Sequence, residues 1–122
     1  MIRLLILTTV ATSTFRNFSI ATAATMALRS VDFEVFGRVQ GVFFRKFTKQ
    51  EAEKLGLKGW CMNTSKGTVQ GQLQGPSDNV ENMMRWLRTT GSPSSQIEKA
   101  EFKNEKDITE YSFNDFSIRK DS

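Results

Sequence analysis

Histidine is absent from the 122 residues, and cysteine occurs once, at Cys61. The absence of histidine excludes histidine metal ligands, acid–base catalysis by an imidazole and a phosphohistidine intermediate. A single cysteine cannot form an internal disulfide or a multi-cysteine metal site. Composition therefore removes most of the machinery that hydrolases use, and the sequence predicts no metal site and no cofactor.

Acidic residues are missing from one end of the chain. Residues 1–30 hold three of the 17 basic residues and no Asp or Glu, so the remainder carries 14 basic and 13 acidic side chains. The formal charge of +4 therefore resides mainly in the N-terminal segment. A nearly neutral domain has no basic field to attract a polyanion, and we predict no nucleic-acid partner.

A hydrophobic run long enough to cross a membrane is also missing from the N-terminal segment. The apolar stretch LLILTTVA is too short for a transmembrane helix, and no membrane association is predicted. We treat residues 1–29 as a leader and residues 30–122 as one domain. The leader is rich in Ser, Thr and Ala and lacks acids, which is typical of a mitochondrial transit peptide.

The leader is also compatible with three different roles. A secretory signal, a functionless extension, or a segment upstream of a start at Met26 would suit the same residues. The single unpaired cysteine disfavours secretion. We therefore predict an intracellular protein, mitochondrial if the leader is a transit peptide and cytoplasmic if translation starts at Met26.

The domain begins with a strand and a helix. In VDFEVFGR, Val31, Phe33 and Val35 share one face, as in a half-buried strand. The segment FFRKFTKQEAEKLG predicts an amphipathic helix that ends at Gly56. The apolar face of this helix would carry Phe44, Phe47, Ala52 and Leu55.

A hairpin, a second helix and two further strands follow. LKGWCMN and GTVQGQLQG predict two strands joined by the turn TSKG. In GPSDNVENMMRWLRTTG, Ser77 or Asp78 is the predicted helix cap. IEKAEFKNE predicts a fourth strand, KDITEY a turn and SFNDFSIRK a short last strand. The apolar face of the second helix would carry Val80, Met83, Met84 and Leu87.

This order of elements predicts an α+β fold. The order βαββαβ, with a short extra strand, closes naturally as a ferredoxin-like split βαβ sandwich. In that fold an antiparallel sheet carries two helices on one face. The many phenylalanines are then predicted to be core residues, and Cys61 an inert buried thiol.

The segment GRVQGVFFRK lies at the first strand-to-helix junction. Gly37 and Gly41 allow a tight turn and a close approach of the backbone to a ligand. Loop amides beside a helix N-terminus bind anions, and the planar guanidinium of Arg45 can hold two phosphate oxygens at once. The loop and Arg45 together predict a cradle for a small, multiply charged oxyanion.

Asn63, at the end of WCMN, is the second candidate functional residue. Both candidates also suit purely structural roles, because glycine and asparagine form turns and a helix arginine is commonly solvated. The two segments belong to different βαβ units. The sequence alone does not show that Asn63 reaches Arg45.

Taken together, these motifs resemble the acylphosphatase family. GRVQGVFFR resembles the phosphate-loop motif of that family, GLKGWCMNTSKGTVQGQLQGP its second motif with the asparagine, and AEFKNEKDITEYSFNDFSIRK its C-terminal end. The resemblance covers essentially the whole chain after the leader, with no departure at a motif position. The leader itself departs, because the familiar animal members are short and lack it.

The resemblance implies hydrolysis of the carboxyl–phosphate bond of acyl phosphates to a carboxylate and inorganic phosphate. It implies that Arg45 binds the phosphoryl group and that Asn63 positions the attacking water. A metal ion is not needed, since the leaving group is already a carboxylate and preset donors can stabilise the transition state. A monomer is expected, with phosphate as a competitive inhibitor. Further substrate contacts are implied for the loop and one neighbouring threonine: Val39, Gln40, Gly41, Val42, Phe43, Phe44 and Thr64.

Two other functions stay open. RNA-recognition modules share the split βαβ topology, but they place aromatic residues on the third strand, and GTVQGQLQG has none. The second alternative is a non-catalytic, anion-binding regulatory module of the same fold. The presence of both Arg45 and Asn63 argues against it.

Overall fold

The computed structural model describes residues 27–122. All but the last three residues of the predicted leader therefore lie outside the described residues. The first strand begins at Leu28, two residues before the predicted start of the domain at residue 30. In chain order the elements are β1 (Leu28–Arg38), α1 (Phe44–Lys54), β2 (Lys58–Asn63), β3 (Val69–Pro76), α2 (Ser77–Thr89), β4 (Gln96–Ile108) and β5 (Phe116–Ile118).

The two helices pack on a single five-stranded sheet with the strand order β4-β1-β3-β2-β5. Strand β1 is antiparallel to both β3 and β4, and β2 is antiparallel to β3. The predicted ferredoxin-like α+β fold is confirmed. The prediction of an antiparallel sheet holds for the four long strands, but β5 pairs parallel to β2, so the sheet is mixed. The predicted short last strand is therefore present, and its Phe116 pairs with Gly59 of β2.

Alternation along the strands builds one layer of the core. Val31, Phe33 and Val35 of β1 are each at most 3% exposed, as predicted. The predicted face of α2 (Val80, Met83, Met84 and Leu87) is buried against this layer. In α1, Phe44 and Ala52 are buried as predicted, but Thr48 joins them instead of Phe47. The hydroxyl of Thr48 donates to the carbonyl of Phe44 at 2.7 Å, which makes its burial tolerable.

The predicted cap of α2 is wrong. Ser77 is the first helical residue, Pro76 occupies the cap position, and no side chain of residues 27–122 caps the helix. The reason is that β3 runs directly into α2, and the amide of Ser77 is already bonded to the carbonyl of Ala27 at 3.0 Å. Asp78 lies instead in the first turn, where a negative charge complements the helix dipole.

The predicted end of the fourth strand is also wrong. Residues 106–108 belong to β4 rather than to a turn, because they pair with residues 28–30 of β1. Two of these partners, Leu28 and Arg29, lie in the segment that composition assigns to the leader. A bulge interrupts the pairing, and Asn104 adopts a φ of 54° there.

The last strand is shorter than predicted. It spans only Phe116–Ile118, and Phe116 is its fully buried residue. Phe113 lies before the strand and is partly exposed. Ile118 is 42% exposed. Strand β5 therefore contributes one large side chain, Phe116, to the core.

Candidate active site

The sheet topology brings the two candidate segments to one edge. Strands β1 and β2 run in the same direction, because both are antiparallel to β3. Val35 and Asn63 pair with the same residue, Val69, from its two sides. Two strand spacings, roughly 10 Å, therefore separate the ends of β1 and β2. The loop after β1 and Asn63 meet beside the start of β3, a juxtaposition that the sequence left open.

Gln40 ties the loop to the second motif. Its side-chain amide Nε2 donates to the carbonyls of Thr64 and Thr68, each at 2.9 Å. These carbonyls belong to the turn that follows Asn63. For Gln40 the family resemblance implies only a substrate contact as part of the loop. This side-chain bridge could not be predicted, because nothing in the local pattern indicates a contact 24 residues away.

The loop backbone is arranged for anion binding. Gly41 has a φ of 74°, and Phe43, at the N-cap position of α1, has φ 60° and ψ 24°. Within residues 27–122, the backbone amides of residues 41–46 donate to no protein acceptor. They lie at the N-terminus of α1, where the helix dipole adds positive potential. Val39 and Phe44 anchor the loop at both ends, each 1% exposed, and Val42 packs partly against the core.

Arg45 lies in the first turn of α1, directly above β2. Its carbonyl is 4.0 Å from the sulfur of Cys61. The guanidinium Nη1 donates to the Asp121 carboxylate at 2.9 Å, and the Arg45 side chain is 34% exposed. A surface cavity of about 340 Å³ opens here, lined by Gly41, Phe43, Arg45, Lys46 and Ile118. Among the described residues, the lining contains two cations, one of them paired with Asp121, and no acidic side chain, so its net charge favours an anion.

Asn63 has an amide oxygen without a partner. The residue is 8% exposed, and its Oδ1 is buried with no hydrogen-bond donor among the described residues. It points to the same side of the sheet as Cys61, two residues earlier on β2. That is also the side on which Arg45 lies. A buried acceptor without a donor is costly, and this acceptor is suited to a water molecule or a ligand.

Thr64 is engaged in its own turn. Its hydroxyl lies 2.6 Å from that of Thr68, and the amides of Lys66 and Thr68 donate to it at 3.3 Å. The Thr68 hydroxyl in turn donates to Glu34 at 2.6 Å. These contacts hold the β2–β3 turn in shape. A substrate contact of Thr64 stays a prediction.

The C-terminal residues run beside β2 and are hydrogen-bonded to it near Asn63. The amide of Arg119 donates to the carbonyl of Cys61 at 2.8 Å, and that of Ser122 donates to the carbonyl of Asn63 at 3.1 Å. Because the C-terminal residues run parallel to β2, Asp121 lies within hydrogen-bonding distance of Arg45. The sequence did not predict this contact, because it depends on a pairing between the ends of the domain.

Cys61 supplies no nucleophile. The thiol is fully buried, and burial raises its pKa to about 12. The nearby cations Arg45 and Lys49 lower the pKa only in part. The thiol is therefore protonated at neutral pH and inaccessible, as the sequence predicted.

Residues 27–122 contain no group of three or more His, Cys, Asp or Glu side chains placed to hold a metal ion. In the same residues, no helix has the length and apolarity needed to cross a membrane.

A second cavity of about 360 Å³ lies on the sheet near Trp60. Its charged lining is mainly acidic (Asp32, Glu34 and Glu101, with Lys103), so it disfavours an anion.

Comparison with known proteins identifies a family. The family model described as Acylphosphatase matches residues 31–118. Acylphosphatase-1 of Gallus gallus is 59% identical over 98 residues, which are 80% of this chain and 99% of that protein. Acylphosphatase-1 of Homo sapiens is 60% identical over 93 residues, 76% of this chain and 94% of that protein. The crystal structure of acylphosphatase from Bacillus subtilis superimposes with a TM-score of 0.69 at 32% identity, covering 75% of this chain and 98% of that one.

Proposed function

Because the chain belongs to the acylphosphatase family, and is thus an enzyme that hydrolyses acyl phosphates, we propose that the edge formed by the β1–α1 loop, Arg45 and Asn63 carries out this reaction. The observation that carries the proposal is the juxtaposition of unpaired loop amides, an arginine and an unpaired buried amide oxygen within residues 27–122. The regulatory-module alternative is not favoured, because the close relatives are acylphosphatases.

The loop and Arg45 would bind the phosphoryl group. The amides of residues 41–46 have no acceptor within residues 27–122 and can donate to its oxygens, and the helix dipole of α1 adds to their effect. The Arg45 guanidinium adds a planar pair of donors. Its present partner, Asp121, is 60% exposed, and exposed ion pairs typically contribute less than about 1 kcal/mol. A dianionic phosphoryl group can therefore displace or share that contact at small cost.

Asn63 would position the attacking water. Its Oδ1 accepts a hydrogen bond from the water, which directs a lone pair at phosphorus. The water oxygen forms the new bond to phosphorus while the bond to the acyl oxygen breaks, and the bonding electrons leave with the carboxylate. The proton of the water passes to a phosphate oxygen. The transition state is loose, so positioning and charge stabilisation supply most of the catalysis.

The reaction is proposed to need no metal ion. A carboxylate leaves without a strong general acid, and the loop amides and Arg45 stand where a metal would otherwise neutralise charge. We expect wild-type protein to hydrolyse benzoyl phosphate at the same rate with and without excess EDTA, measured by phosphate release. Strong inhibition by EDTA that Mg²⁺ reverses, with Ca²⁺ as the control cation, would contradict this mechanism.

Three further properties form part of the proposal. Inorganic phosphate, the product, should compete with substrate, since both need the same cradle. The protein should act as a monomer, because every candidate residue comes from one chain. We propose an intracellular location, mitochondrial if residues 1–29 are a transit peptide and cytoplasmic if translation starts at Met26.

A further inference from the structure

Two apolar side chains are exposed at the mouth of the candidate active site. Phe43 is 72% exposed and Ile118 is 42% exposed, and they are the exposed large hydrophobic residues of the described chain. Phe43 comes from the N-cap of α1 and Ile118 from β5, so they are 75 positions apart in sequence. Both line the cavity of about 340 Å³ that also contains Arg45. Apolar surface from two distant segments thus converges on the cavity that favours an anion.

The backbone of Phe43 lies in the left-handed region, which is unfavourable for a bulky side chain. Residues 27–122 contain two non-glycine residues with positive φ, Phe43 and Asn104. Asn104 lies in a bulge and is of a type that tolerates the left-handed region, whereas a bulky aromatic residue does not. Phe43 therefore combines an unfavourable backbone conformation with an unburied ring. Because the ring is 72% exposed, little packing within the described chain offsets the cost of this backbone conformation. Residues strained in this way cluster at ligand sites.

We propose that Phe43 and Ile118 form the acyl subsite, which binds the apolar acyl group of the substrate. This inference rests on the proposed function. The acyl group is joined to the phosphoryl group by a single oxygen, so it must lie beside the groups that bind phosphate. The cavity supplies Arg45 for the phosphoryl end and two apolar side chains for the other end. Its volume of about 340 Å³ is at the lower end of the range for small-molecule sites.

The subsite defines a substrate class. Phe43 and Ile118 can cover an aromatic ring or a branched aliphatic chain, and binding would remove their own apolar surface from water. A one-carbon side chain, as in acetyl phosphate, reaches little of that surface. Lys46, also in the lining, attracts any anionic acyl phosphate and so does not discriminate between acyl groups. The structure therefore favours acyl phosphates with large apolar acyl groups.

The test compares two substrates that differ only in the acyl group, benzoyl phosphate and acetyl phosphate. Phe43→Asn keeps a residue tolerant of the left-handed conformation and removes the ring, and Phe43→Leu keeps apolar surface. Ile118→Ser removes the second apolar side chain. Ile108→Ser is the matched control, since Ile108 pairs with Leu28 at the far end of β1. Thermal unfolding by circular dichroism checks that each variant folds.

We expect KM for benzoyl phosphate to rise about tenfold in Phe43→Asn and about threefold in Ile118→Ser, with kcat nearly unchanged. KM for acetyl phosphate should change by less than about twofold, because the lost contacts do not reach a methyl group. Phe43→Leu should keep most of the preference, and Ile108→Ser should keep all of it.

Two kinds of failure can be told apart. If wild type hydrolyses both substrates and the variants leave their KM ratio unchanged, or weaken both equally, the acyl subsite is wrong while the proposed function stands. An equal loss would show that Phe43 acts by shaping the phosphate loop. If folded wild type hydrolyses neither substrate, the proposed function fails and the subsite fails with it.

Discussion

Replacing Asn63 with alanine is expected to lower kcat for benzoyl phosphate by about a thousandfold, with KM changed by less than about threefold. The substitution removes Oδ1, the buried acceptor that has no donor in the described chain. Water would still enter the site, but without a fixed acceptor it would no longer be aimed at phosphorus. The proposed phosphate cradle is formed by the β1–α1 loop and not by Asn63, so substrate binding should persist. Initial rates of phosphate release over a range of substrate concentrations measure both constants.

The matched control for Asn63 is Asn114→Ala. Asn114 is exposed in the segment before β5, and its substitution should leave both constants unchanged. Loss of Oδ1 also removes a buried unsatisfied atom, so Asn63→Ala should not be severely destabilised. If a folded Asn63→Ala protein had a kcat within about tenfold of wild type, a residue other than Asn63 would position the attacking water.

Replacing Arg45 with lysine is expected to lower kcat/KM for benzoyl phosphate by about a hundredfold, although the positive charge is retained. A lysine ammonium is a point charge, whereas a guanidinium can present two parallel donors to two phosphate oxygens. The loss should appear in both constants, because the contact forms in the ground state and strengthens as charge develops. The inhibition constant of inorganic phosphate, measured in the same assay, should rise with it.

Arg85→Lys provides the control for Arg45→Lys. Arg85 is exposed on α2, where its Nη1 donates to Asn82 within the same helix, and the exchange should leave kcat/KM unchanged. The Asp121 partner of Arg45 can still pair with a lysine, so a fall in stability should not explain the loss. Near-normal turnover by Arg45→Lys would contradict the two-donor role proposed for the guanidinium.

The sequence predicted the local parts of this fold well, because local spacing determines them. Alternation in VDFEVF placed Val31, Phe33 and Val35 in the core, and helical spacing placed the buried face of α2 correctly. The strand, glycine loop and helix that form the cradle are also contiguous in sequence. A strand-to-helix junction with Gly41 and Arg45 could therefore be interpreted as an anion cradle before its geometry was known.

The parts that could not be predicted all depend on pairing between distant segments. The length of β4 depends on residues 28–30, two of which composition assigned to the leader. The approach of Asn63 to the loop depends on β3 lying between β1 and β2. The contact of Asp121 with Arg45 depends on the parallel addition of β5. The spacing of apolar residues within a short window does not determine which distant strands pair.

Two local predictions were wrong for a different reason. Ser77 has the right chemistry for a helix cap, but its amide is bonded to Ala27 and the strand enters the helix without a break. In α1, the row of buried residues runs through Thr48 rather than Phe47. In both cases tertiary contacts override local preference. Neither changes the position of Arg45 in the first turn of α1.

The most direct test of the proposed mechanism follows the oxygen atom of water. Wild-type protein hydrolyses benzoyl phosphate in water enriched in ¹⁸O, with EDTA present, and mass spectrometry locates the label in the two products. Attack at phosphorus by a water held at Asn63 predicts fast hydrolysis with the label in inorganic phosphate and none in benzoate. Label in benzoate would place the attack at the carbonyl carbon, and an absence of hydrolysis by folded protein would contradict the mechanism as a whole.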